Sequence, residues 1–153
     1  MILDELLEFA DASTDIQAST GRALIGDVID LGATPQDFGI GKAMYLVIQV
    51  DTDIDSAADG ATAQFILATD AVAAVAVDGS ASEHLLTEVF AEADLVAGKT
   101  IVLALPPGGA GTDYERYMGV IALVGGETIT AGAVNAFLTF DPTYWKSYAD
   151  GQN

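Results

Sequence analysis

Asp51-Thr52-Asp53-Ile54-Asp55 sets carboxylates at alternate positions, the pattern with which a calcium loop begins. Such a loop needs a glycine at its sixth position for the sharp turn and a bidentate glutamate at its twelfth, and those positions hold Ser56 and Thr62. The run therefore reads as a solvated acidic loop with room for a weak cation site at most.

Pro107-Gly108-Gly109-Ala110-Gly111-Thr112 has the glycine content of a phosphate cradle, but no lysine follows it and Asp113 stands where the anion would sit. His84 is the sole histidine, and neither Ser80 nor Ser82 has the spacing of a nucleophile elbow. With no cysteine present, disulfides, thiol nucleophiles and thiolate metal sites are excluded together. Any two of the 23 acids could converge as a glycosidase pair, yet nothing in the sequence selects one. These residues predict no enzyme, no catalytic residue, no metal site and no cofactor.

What remains is contact chemistry. Arg116 is one of five cations and stands among Asp113, Tyr114, Glu115 and Tyr117, which fits either a local ion pair or an interface anchor. The two ends are more apolar than solvated ends require: Ile2, Leu3, Leu6 and Leu7 at the start, Tyr144, Trp145 and Tyr148 near the finish. The three aromatic residues are loosely spaced for sugar stacking, but a segment of this kind more often packs on its own domain or on a neighbour. These seven residues with Arg116 and Tyr117 form the expected interface, and Trp145 is its expected hot spot.

Composition narrows the partners. A net charge of −18 repels phosphate backbones and anionic lipid surfaces, so neither nucleic acid nor membrane is expected. No apolar run approaches the roughly 20 residues that span a bilayer, and the acids Asp4, Glu5 and Glu8 at the start predict no export signal. Hydrophobic residues make up 51% of the chain while charged ones make up only 18%, a thin polar cover that fits either an alanine-rich core under an ordinary surface or apolar area buried against another subunit.

The elements that must position these residues are short strands. Runs rich in Val, Ile, Leu, Phe and Tyr recur between Gly, Pro and Asp clusters. Strands are predicted at 23–31, 43–50, 63–69, 100–105, 116–124 and 133–140, with weaker candidates at 72–77 and 84–90. Met44, Leu46, Ile48 and Val50 share one face of the second and predict core. The strand at 116–124 is apolar on both faces and should be covered on both. Turns are expected at Asp59-Gly60 and Asp78-Gly79, and a two-residue hairpin at Gly125-Gly126.

About eight short strands and little helix predict an all-β, antiparallel two-sheet β-sandwich, in a jelly-roll or immunoglobulin-like order that periodicity leaves open. The expected division is an arm at 1–20, the sandwich at 21–141 and an aromatic tail at 142–153.

Three stretches taken together carry a resemblance: Val28-Ile29-Asp30-Leu31-Gly32; Tyr114-Glu115-Arg116-Tyr117-Met118-Gly119-Val120 leading to Gly125-Gly126; and Thr130-Ala131-Gly132-Ala133-Val134-Asn135-Ala136-Phe137-Leu138. In this order, behind the opening Met-Ile-Leu-Asp, they resemble the jelly-roll cement proteins that decorate capsids of short-tailed bacteriophages, such as those infecting Bordetella. The resemblance implies a jelly-roll virion protein, made in the host cytoplasm, that sits on the outer face of the major capsid protein lattice. It also implies self-association, a dimer before a trimer, and it brings no catalytic residues. A carbohydrate-binding or receptor-binding virion module is the alternative, and a small glycosidase-like enzyme a third.

Overall fold

Alternating apolar side chains, β-branched or aromatic at most positions, build nine strands among the described residues. They are β1 (Glu8–Ala10), β2 (Gly21–Asp30), β3 (Tyr45–Ser56), β4 (Thr62–Asp70), β5 (Ser82–Leu86), β6 (Phe90–Ala91), β7 (Thr100–Ala104), β8 (Tyr117–Gly125) and β9 (Ile129–Thr139). The computed structural model describes residues 5–12, 16, 19–33, 41–108 and 113–143. Apart from the strands, these hold only two short 3₁₀ turns, Glu5–Leu7 and Glu92–Asp94.

The pairing is that of one long hairpin rolled up. β4 pairs with β5, β3 with β7, β2 with β8 and β1 with β9, each pair nested inside the next and each antiparallel. Rolling then brings β9 beside β3 and β8 beside β4. One sheet has the order β1-β9-β3-β7 and the other β2-β8-β4-β5, with β6 also on β4. The order is therefore that of a jelly roll, two interlocked Greek keys in facing sheets.

The inner faces form the core. Met44, Leu46, Ile48 and Val50 of the β3 segment and Val134, Ala136 and Leu138 of β9 belong to the same buried cluster as Ala63, Phe65 and Leu67 of β4 and Met118, Val120 and Ala122 of β8. Phe9 and Ala10 of β1, within the segment expected as an arm, are buried in that cluster too. On the opposite face of the first sheet Val47 and Phe137, directly paired across β3 and β9, are also buried.

The weaker strand candidate at 72–77 is not a strand. The Asp70 carboxylate accepts the backbone N–H of Val72 at 3.2 Å and that of Ala76 at 3.1 Å, which curls the chain into a loop. That loop lies over the outer face of the second sheet, where Val75 packs with Ile66, Ala68 and Ile121. Its apolar residues are a cover, and this cover is what buries β8 on its second face.

The candidate at 84–90 divides into β5 and β6 around Thr87, whose hydroxyl accepts the Phe65 N–H at 3.0 Å and donates to the Glu88 carbonyl at 2.7 Å. Gly126 does take a positive φ of 73°, but it links β8 in one sheet to β9 in the other, so it makes a crossing turn rather than a hairpin. β3 runs on to Ser56 against β9 through three register irregularities. Asp51 to Asp55 is consequently strand, because Ile54 is buried in the core and its N–H reaches the Leu95 carbonyl at 3.0 Å.

Candidate interaction surface

Within the acidic run, Asp55 is gathered with two other carboxylates. Its oxygens and those of Asp59 and Glu92 lie within 4.8 Å of one another, beside the cleft lined by Asp53, Ala93, Val96 and Ala131. Glu92, only 7% exposed, accepts the Ala61 N–H at 3.3 Å while its own N–H donates to the Ala61 carbonyl at 3.1 Å, a clamp on the start of β4. Asp53 similarly accepts the Ala97 N–H at 2.6 Å, and Glu127 that of Ala58 at 3.0 Å. Here acids serve as loop caps. Three side-chain donors among the described residues fall short of the roughly six to eight oxygens that calcium gathers. Glu92 escapes sequence reading because only the fold brings it to Asp55.

The single histidine joins a second cluster. The His84 ring stacks on Tyr114, with centroids 4.2 Å apart and planes 25° from parallel, and its Nε2 lies 2.7 Å from the Thr69 hydroxyl. That hydroxyl also accepts the Glu115 N–H at 3.0 Å, and the Tyr114 hydroxyl donates to the Pro106 carbonyl at 2.8 Å. Thr69 is fully buried, so its hydroxyl is shut off from bulk solvent and works as a bridge between β4, β5 and the approach to β8. Burial pushes the Tyr114 phenol up to about 12 and pulls the His84 imidazole below 6.5, with Glu115 opposing the second shift.

The sign of the pH effect follows. The unfolded chain takes up its histidine proton at a higher pH than the folded one, so this stabilisation is complete above pH 6.5 and is lost as pH falls through the folded value. Titrating the melting temperature should show a decline on acidification that is steeper in the native chain than in His84→Gln. Parallel curves for the two would refute it.

The expected interface residues scatter. Ile2, Leu3, Tyr144, Trp145 and Tyr148 lie outside the described residues. Leu6 is 79% exposed in the 3₁₀ turn before β1, whereas Leu7 packs against the core. Arg116 enters β8 in the other sheet and forms a fork with Asp30 at the end of β2, Nε to Oδ1 at 2.9 Å and Nη2 to Oδ2 at 2.8 Å. Its guanidinium also lies over the Tyr117 ring, 4.9 Å from the centroid. The fork holds the Asp30 carboxyl down to about 2. Arg116 is thus a local ion pair that leaves Tyr117 and Asp30 fixed around it.

Other apolar side chains reach solvent: Val72, Leu86, Val89, Val96, Val102 and Phe140. Phe140 carries the Lys42 ammonium 4.9 Å from its ring centre. Sequence reading missed these because single apolar residues in strands and loops look like core until the sheets are assembled.

No curated protein matches the chain. A family model, Bbp16, matches residues 13–138, a span that runs from the segment before β2 almost to the end of β9 and so covers nearly the whole sandwich. The chain belongs to the Bbp16 family, whose name points to a Bordetella phage protein.

Proposed function

We propose that this chain is a structural virion protein that binds the outer surface of the major capsid protein lattice and cements neighbouring capsomers against internal DNA pressure. The family match over residues 13–138 carries the reading. The closed jelly roll supports it by supplying a rigid body, and the exposed apolar side chains supply contact area. A charge of −18 keeps such a body away from DNA and favours basic patches on a shell. The role needs no catalytic group and no cofactor. Contacts are assigned to Ile2, Leu3 and Leu6 at one end of the chain, to Tyr144, Trp145 and Tyr148 at the other, and to Tyr117.

Purified protein mixed with capsid shells should pellet with them and saturate at a fixed ratio to the capsid protein, and loaded shells should withstand osmotic shock better than bare ones. Trp145→Ala should weaken binding by about 30-fold, the scale of a 2 kcal/mol hot spot, without moving the melting temperature. Protein left in the supernatant, or equal rupture of loaded and bare shells, would overturn the proposal. Full binding with a lowered melting point would mean that Trp145 packs on its own domain.

A further inference from the structure

The contacts around His84 fix where its proton sits. Thr69 is fully buried in β4, and its hydroxyl oxygen accepts the Glu115 N–H at 3.0 Å while lying 2.7 Å from His84 Nε2. A hydroxyl has one proton to give, and among the described residues the only group placed to take it is Nε2. The Thr69 O–H therefore donates to the ring. Nε2 is the bare nitrogen of a neutral imidazole, and the ring's own proton is on Nδ1.

That one hydroxyl ties together β4, β5 and the residues that lead into β8. Tyr114 is stacked on the His84 ring and its hydroxyl donates to the Pro106 carbonyl at 2.8 Å, so the chain just beyond β7 hangs on the same ring. The Glu115 carboxylate accepts the Ser82 hydroxyl at 2.6 Å. On either side of this cluster the chain has independent anchors: Leu105 donates to the Met44 carbonyl at 2.8 Å, and Arg116 is held by the Asp30 fork and by the Leu31 N–H, 2.8 Å from its carbonyl. Whatever loosens the cluster stops at these two points.

A second proton on the ring reverses the bond. Nε2–H becomes a donor, the Thr69 oxygen then faces two donors, and its own proton is left without an acceptor in a site shut off from water. The charges nearby do not offset this. From the approach to β8, Glu115 attracts an imidazolium but is already engaged with Ser82, and burial outweighs its pull; Tyr114 stays a neutral phenol. From β4, Asp70 is turned to the N–H groups of Val72 and Ala76. On β5 itself Glu83 stands across from Ala68 on the outer face, paired with Arg22 of β2. His84 is half-buried, so relief comes from the ring turning out to solvent and water entering behind it.

We infer that the His84–Thr69 contact is an acid-released latch, which a proton on Nε2 opens so that Tyr114 and Glu115 come away from β4 and β5. The sheets stay paired throughout, because Leu105 and Arg116 keep their own bonds. The approach to β8 thus has two arrangements, closed at neutral pH and open in mild acid. The jelly roll itself is common to both.

Nuclear magnetic resonance of the whole chain in solution tests the latch. At about pH 8 the nitrogen shifts of the His84 ring should place its proton on Nδ1. From about pH 7.5 to 5, protection of the Glu115 amide, corrected for the intrinsic pH dependence of exchange, should fall about tenfold. One proton gained on opening shifts the equilibrium by up to about tenfold for each pH unit between 6.5 and the lower folded value. Low urea should leave this exchange unchanged, since a local opening exposes little surface, whereas exchange at Leu31 and Leu105 should rise with urea. His84→Gln takes up no proton in this range and should hold Glu115 protection constant with pH. A proton on Nε2 at neutral pH, constant Glu115 protection in the native chain, a pH response that survives in His84→Gln, or Glu115 exchange that rises with urea in step with Leu31 and Leu105 would overturn the latch.

Discussion

Replacing Gly26 with alanine is expected to destabilise the fold by about 3–5 kcal/mol and to lower the melting temperature by roughly 10 °C. Gly26 sits in the β2 bulge at φ 60°, and a Cβ there would lie 2.0 Å from the Phe9 carbonyl oxygen and 2.9 Å from its carbon. The left-handed backbone alone costs an L-residue about 1–2 kcal/mol. The remainder comes from the overlap, since the obstacle is backbone and β1 must leave its place against β9 to relieve it. Gly98 separates the two contributions: its φ is 89° and nothing lies within 4 Å of its would-be Cβ. Gly98→Ala should therefore show the conformational part only. Chemical denaturation of both variants decides the matter, and a loss at Gly26 no greater than that at Gly98 would show that β1 yields freely.

Phe9→Ala should cost about 3–5 kcal/mol, as for other buried aromatic truncations. Phe9 is fully buried, although it belongs to a strand of three residues close to the start of the chain. A segment held by so few backbone bonds depends on that one side chain for its attachment. Amide exchange at Ala136, whose Cα partner is Ala10, should quicken in the variant along with the loss of stability. Unchanged stability and exchange would mean that the start of the chain behaves as a detachable arm.

Much of the sandwich could be read from alternation, because side chains of period two have only one way to face a core. Met44 to Val50 and Met118 to Val124 are the clearest cases, and both are buried as expected. The segment at 72–77 misled because an apolar loop that covers a sheet has the composition of a strand, and only the two backbone bonds to Asp70 reveal the difference. Asp51 to Asp55 misled in the opposite sense. Its acids suggested a loop, whereas the buried Ile54 between them keeps the strand going.

Sheet order depends on contacts between residues far apart and leaves no local trace, so jelly-roll and immunoglobulin-like orders looked alike until β9 was seen beside β3. Candidate contact residues suffered similarly. Arg116 stood out by its rarity, yet its partner Asp30 comes from the far end of β2.

The nesting of the strand pairs also sets an order in time. β4 and β5 are close in the chain and can meet as soon as both exist, but Glu8 must wait for Phe137. During synthesis β1 leaves the ribosome before the other eight strands yet is among the last of them to find its place, and Phe9 stays without its pocket until β9 has been made. Such non-local closure makes folding slow, on the order of milliseconds to seconds. Throughout that interval the newborn chain shows an aromatic residue to the cell, and its high negative charge then keeps one unfinished copy from another.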